Sequence, residues 1–204
     1  MNAIIFGSHG EKRLQQEFNT TQDALKFYNK RVLGYLAPLM QGFIRKQEMM
    51  FISTADSKGE CDSSVRFGET GFAMVVDDRH IIYPEFKGNG VMASMGNIAE
   101  NPHIGLLFID FFETKVGLHV NGKAKIIRKE SMDEELSKFN GLAEKLRNHK
   151  MKFKSVSYIL IEVEEAYIHC SLHIPILQKV EDAESLETFP KGKGGDAFKV
   201  ESLI

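Results

Sequence analysis

Three polar features interrupt the otherwise apolar, turn-rich stretch from Phe51 to Asp110. The first is Arg66, followed by Phe67 and Gly68. The second is the run Lys87-Gly88-Asn89-Gly90, and the third is Ser94 through Asn97. A guanidinium offers a planar set of donors that suits phosphate oxygens. A lysine adds charge, two glycines let backbone N–H groups approach an anion, and a helix starting after them aims its positive end at the same place. Each feature also has a plainer reading: a solvated strand arginine, and a strand-to-helix turn. Taken together they indicate an anion-binding site. It is not a P-loop, because GxxxxGK[ST] is absent here and also in the later Lys191-Gly-Lys-Gly-Gly run.

Other residues of chemical interest give weaker signals. His169, Cys170 and His173 cluster near the C-terminal end, but no fourth ligand has metal-like spacing, so no metal site is assigned. A buried structural Cys and His is the plainer expectation there. His80, His103 and His119 are scattered among strands. Asp77-Asp78 and Glu164-Glu165 are explained by a turn and a strand end. No side chain stands out as a proton donor, and no catalytic residue is assigned.

The elements that must position these residues are mostly strands. Thr20-Thr21 opens a helix carrying Ala24, Leu25, Tyr28, Val32 and Tyr35 at helical spacing. A second short helix spans 39–47. Strands are expected at 49–54, 61–67, 104–112, 115–127 and 155–163, with a hairpin from 72–76 to 80–83. A helix at 91–100 stops at Asn101-Pro102, because proline disfavours helical geometry in the residue before it. Asn121-Gly122 is either a hairpin turn or a bulge in one long strand, and the short flanking halves favour the bulge. Ser131-Met-Asp-Glu134 has the capping-box pattern and predicts a helix to about His149. Residues 1–178 read as one domain with N-terminal helices, and 179–204 as a polar, Gly-rich tail. Sequential strands without regular βαβ alternation predict a mainly β fold with added helices: an antiparallel barrel.

The totals are those of an ordinary globular protein, 43% apolar and 26% charged. A net charge of −2 gives no reason to expect nucleic acid or an anionic membrane as a partner. Two cysteines without CxxC spacing suit a reducing cytoplasm. No signal peptide is visible, and no apolar run approaches the ~18–20 residues that a membrane span needs.

The phrases FISTADSKGECDSSVRFGETGF, VVDDRHIIYPEFKGNG, MGNIAENPHIGLLFIDF and LHVNGKAKII occur in this order. In that order and spacing, residues 38–170 resemble the pyridoxamine 5'-phosphate oxidase-like, FMN-binding split-barrel family, in its related branch. The resemblance implies a six-stranded antiparallel split β-barrel, a homodimer, and FMN in the groove between subunits. It implies phosphate contacts from Arg66, with Phe67 and Gly68 beside it, and from Lys87, Gly88 and Asn89. Ser94 and Asn97 would lie near phosphate or ribityl oxygens, and Tyr83 and Pro84 beside the flavin ring edge. The implied activity is oxidoreduction of a small-molecule substrate, with a reduced nicotinamide as a possible donor. Some members of this fold handle haem, which keeps His169 and His173 open, and others bind the deazaflavin F420. The sequence departs from its relatives in three places. Gly90 stands where many carry arginine. The substrate-side glutamine of the true oxidases falls near Gly117. Their arginine-rich C-terminal signature is not visible, which argues against pyridoxamine 5'-phosphate as the substrate.

Overall fold

The computed structural model describes residues 6–149, 154–180 and 200. In chain order the elements are α1 (His9–Glu17), α2 (Thr21–Arg31), β1 (Val32–Leu33), α3 (Pro38–Arg45), β2 (Met49–Ala55), β3 (Cys61–Phe67), β4 (Met74–Val75) and β5 (His80–Glu85). They continue with α4 (Ala93–Glu100), β6 (His103–Ile109), β7 (Gly117–Arg128), α5 (Met132–Glu135), α6 (Leu142–Asn148) and β8 (Ser157–His169). Most of the expected 179–204 tail falls outside the described residues. Lys179, at its start, is held by an ion pair to Glu48 at 2.6 Å.

The strands form one sheet in the order β3-β2-β6-β7-β8-β5-β4, with β1 added on β8. Every pairing is antiparallel. The described residues thus contain eight strands, not the six expected. Two of them, β1 and β4, have two residues each; β4 falls within the strand expected at 72–76, and only β1 was not anticipated. Strand β1 escaped sequence reading because Val32 also fits the helical spacing of α2. Its register is instead set by backbone pairing with Tyr167 and Ala166, far away in sequence.

Alternation along the strands fills the core. Met50, Ile52 and Thr54 of β2 are buried, while Phe51 and Ser53 between them face outward. The main core joins Ile52, Leu106, Phe108, Val120, Ile161 and Val163. Full burial of such a side chain contributes about 1.5–3 kcal/mol. A second cluster lies on the other face of β8. There Tyr158 and Leu160 pack with Ile127 and Ile82 beneath Met132, Leu136, Leu142 and Leu146 of the α5–α6 segment. This explains the unbroken burial of Ser157 to Ile161, since β8 is covered on both faces.

Two expectations about helices need correction. The single helix from 131 to 149 is broken into α5 and α6, and Gly141 at φ +70° starts the second piece. The capping box is not formed either. Ser131 makes no side-chain cap; its hydroxyl instead donates to the Glu135 carboxylate one turn on. Helix α1, which the sequence did not announce, has its own capping box between Ser8 and Glu11.

The Asn121-Gly122 run is no turn. Strand β7 continues through it, and its register against β8 shifts there. Asn121 pairs with Glu165 and Gly122 with Val163, so the additional residue, Glu164, belongs to β8.

Candidate functional site

Strand β3 turns its polar face inward. Asp62, Ser64 and Arg66 are half-buried, and the residues between them are exposed. This inverts the usual alternation because β3 is an edge strand whose inner face borders a cavity, not the core. The cavity measures about 760 Å³. It is walled by β3, the end of β5, the segment that leads into α4, and Lys154.

The sheet order puts β3 and β5 far apart, yet Arg66 meets Glu85. The sheet therefore curls until these strands face each other, and a side-chain pair, not a ladder, spans the gap. Arg66 Nε and Nη2 both donate to Glu85 Oε2, at 3.1 and 2.9 Å. Arg66 Nη1 donates to the Val65 carbonyl at 3.2 Å. The other oxygen of Glu85 accepts the Phe86 N–H at 3.2 Å. On the same wall, Asp62 accepts hydrogen bonds from Ser94 Oγ at 3.0 Å and Ser64 Oγ at 3.3 Å.

The Lys87–Gly90 run folds as a turn in which the Gly90 N–H donates to the Lys87 carbonyl at 2.9 Å. Gly88 and Gly90 both hold positive φ, +52° and +86°, which side-chain-bearing residues rarely adopt. Asn89 Oδ1 accepts the Val91 N–H at 3.0 Å, closing the turn from within. Met92 then takes the left-handed conformation as N-cap of α4, and no side chain caps the helix. Met92, Ala93, Ser94 and Met95 all line the cavity. An uncapped helix start with Lys87 and Lys154 beside it is suited to an anion.

Of the ten residues singled out in the sequence, seven line this cavity: Arg66, Phe67, Pro84, Lys87, Gly88, Asn89 and Ser94. The other three lie elsewhere. Gly68 borders a second groove of about 920 Å³ between α3 and the 109–114 loop. Asn97 donates to Thr54 Oγ1 at 3.1 Å and ties α4 to β2. The Tyr83 side chain is fully buried in the main core. Its hydroxyl has no hydrogen-bond partner among the described residues. Burial, with the Glu85 charge adding to it, pushes the phenol far above its ordinary value. Tyr83→Phe is therefore expected to raise stability by about 1 kcal/mol, since it removes an unsatisfied buried group. Chemical denaturation measures this, and a loss of stability would mean that the hydroxyl has a partner.

Sequence reasoning missed the three other charged residues of the site. Asp62 and Glu85 were legible in principle: Asp62 is four residues from Arg66 on one strand face, and Glu85 two from Tyr83. Lys154 had no local signal.

A separate pair lies across β7 and β8. His119 Nε2 and His169 Nδ1 are 2.8 Å apart, and the His119 ring stacks on Tyr167 at 4.7 Å. Burial, and then the neighbouring His169, lower the His119 pKa from its ordinary 6.5. The unfolded chain therefore takes up this proton more readily than the folded one. Stability is full above the unfolded value and falls as pH drops through it toward the lower folded value. Urea midpoints should fall between about pH 7.5 and about pH 5, and less so in His119→Phe, which keeps the stacking without titrating. Equal losses in the two proteins would remove His119 as the cause. Cys170 is exposed, not buried as expected. No group of three or more metal-ligating side chains occurs among the described residues. Nor is any described helix long and apolar enough to cross a membrane.

The sequence profile described as pyridoxamine 5'-phosphate oxidase matches residues 36–170. No curated protein matches the chain. Among solved structures, the chain is similar to HupZ from Group A Streptococcus, at 20% identity over 65% of this chain and 92% of that one, with a TM-score of 0.45. It is also similar to an FMN-binding protein from Syntrophomonas wolfei, at 15% identity over 77% and 95% of the two chains, with a TM-score of 0.43. A third is HutZ, the heme storage protein from Vibrio cholerae, at 13% identity over 65% and 94%, with a TM-score of 0.37. These likenesses are distant, and the assignment rests on the profile. By that match, which spans residues 36–170 of 204, the chain belongs to the pyridoxamine 5'-phosphate oxidase family.

Proposed function

We propose that this protein binds FMN and is an oxidoreductase acting on a small molecule other than pyridoxamine 5'-phosphate. The observation that carries this reading is the uncapped start of α4 opening, with Lys87 and Lys154, into one cavity. These residues fit the phosphate end of FMN: backbone N–H groups and the helix dipole face the anion, and two lysines supply charge. Pro84 and Met95 line the remainder of the cavity and suit the apolar ring system. When bound, FMN supplies the hydride and electron transfer, with a reduced nicotinamide as the proposed donor. The chain's own residues bind and orient it. Gly117 is packed so closely against His169 that even a Cβ there would meet that side chain at 2.6 Å. This supports a substrate side different from that of the true oxidases.

The working unit in this reading is a cytoplasmic homodimer with FMN in the groove between subunits. Its support is the apolar surface of β2 and β3 that borders the cavity, where Phe51, Val65 and Phe67 are 38%, 41% and 64% exposed. Phe51 and Val65 are direct cross-strand partners, so the exposed apolar surface is continuous.

The purified protein tests the reading directly, since a two-band flavin spectrum and release of FMN on denaturation are expected. In titrations, Lys87→Ala and Lys154→Ala should each weaken FMN on the order of tenfold, with riboflavin almost unaffected. Equal losses for both flavins would place the phosphate elsewhere. A second reading, haem handling, draws on His169, which keeps one ring nitrogen outside its bond to His119. A single strong Soret band would favour it.

A further inference from the structure

The cavity proposed to receive a phosphate contains an anion of its own. Glu85 is only 6% exposed, and it lines the cavity together with Arg66, Lys87 and Lys154. Both contacts of the pair use the Nε–Nη2 edge of the guanidinium, and both end on one carboxylate oxygen. The Val65 carbonyl takes a further N–H from Nη1. The most prominent cation of the β3 wall is thus neutralised and aimed across the gap between β3 and β5. The other positive groups that line the cavity are Lys87, Lys154 and the start of α4, and neither lysine is in an ion pair among the described residues.

We propose that Glu85 is a specificity-determining residue: it occupies Arg66 and sets a negative charge against incoming phosphate, so that the phosphate is gripped by Lys87, Lys154 and the start of α4 and not by Arg66. A carboxylate in a largely desolvated wall acts over several ångströms with little screening. Its effect falls on charged ligands and leaves neutral ones almost untouched. Glu85 thereby lowers the cavity's affinity for any phosphomonoester, and Arg66 serves as its counter-ion.

The choice of FMN as probe rests on the flavin reading above, so the experiment separates the two ideas. FMN and riboflavin are titrated by fluorescence into wild-type protein, Glu85→Gln and the neutral pair Arg66→Met with Glu85→Leu. Glu85→Gln keeps the shape and an acceptor for Arg66, and should bind FMN about five- to twentyfold tighter, with riboflavin changed less than about twofold. The neutral pair removes no net charge and should bind FMN within about threefold of wild type. Unchanged or weaker FMN binding by Glu85→Gln, or equal shifts for the two flavins, overturns the proposal. So does a loss of tenfold or more in the neutral pair, which would make Arg66 itself the phosphate ligand. If wild-type protein binds neither flavin, the flavin reading fails. Inorganic phosphate then becomes the probe, read as the rise in melting temperature that it produces. A larger rise in Glu85→Gln than in wild type supports the role of Glu85, and an equal or smaller one ends it. If Glu85→Gln does not fold, the neutral pair decides alone.

Discussion

Arg66→Ala destabilises the folded protein by about 3–5 kcal/mol, because it strands the Glu85 carboxylate in a nearly closed wall. The two side chains are 17% and 7% exposed, so solvent screens little of the loss. Among the described residues, the carboxylate keeps only the Phe86 N–H as an attachment. Replacing both partners, as Arg66→Met with Glu85→Leu, leaves no buried charge behind and should cost less than about 1.5 kcal/mol. Urea denaturation of the three proteins measures the contrast. Equal stability of Arg66→Ala and wild type would show that water reaches Glu85 and that the pair is ornamental. Because of this contrast, Arg66→Ala by itself is a poor probe of ligand binding: a fall in FMN affinity would mix lost contact with a damaged wall.

Gly122→Ala is expected to cost at least about 3 kcal/mol and to lower soluble yield. Gly122 sits where the β7–β8 register shifts past Glu164. A Cβ there would run into the Glu162 carbonyl oxygen, with its carbon at 3.0 Å and Val163 Cα at 3.2 Å. These are backbone atoms of a paired strand, so they cannot swing aside as a side chain would. Gly42→Ala, inside α3, is the matched control. Nothing lies within 4 Å of the added methyl, so the change should be neutral or stabilising by up to ~1 kcal/mol. A mild phenotype for Gly122→Ala would mean that the bulge can slide to another position.

Much of the architecture is a local property, which is why it could be read from residue types. The alternation in 49–54 made β2, Pro102 ended α4, and two glycines after Lys87 made the turn that leads into that helix. A strand or turn signal operates over two to five residues, and those residues carry it wherever the chain goes. The same holds for Arg66 as a half-buried cation on a polar strand face.

What that cation touches was not legible, because its partner is decided by how the sheet curls. Glu85 lies 19 residues away and five pairings distant across β2, β6, β7 and β8, and only closure of the sheet brings it within 2.9 Å. Lys154 enters the cavity the same way, from beyond β7 and the α5–α6 segment. Val32 and Leu33 became a strand because β8 offered an edge, against the helical spacing of their own neighbours. The helix expected at 131–149 stops at Glu135 and restarts after Gly141, so that its two pieces cover β8 together. In each case a contact between distant segments outweighed a preference worth a fraction of a kcal/mol per residue. Residue types thus determined that basic and polar groups would gather beside a glycine turn. The curl of the sheet decided that the cavity they line would carry a carboxylate of its own.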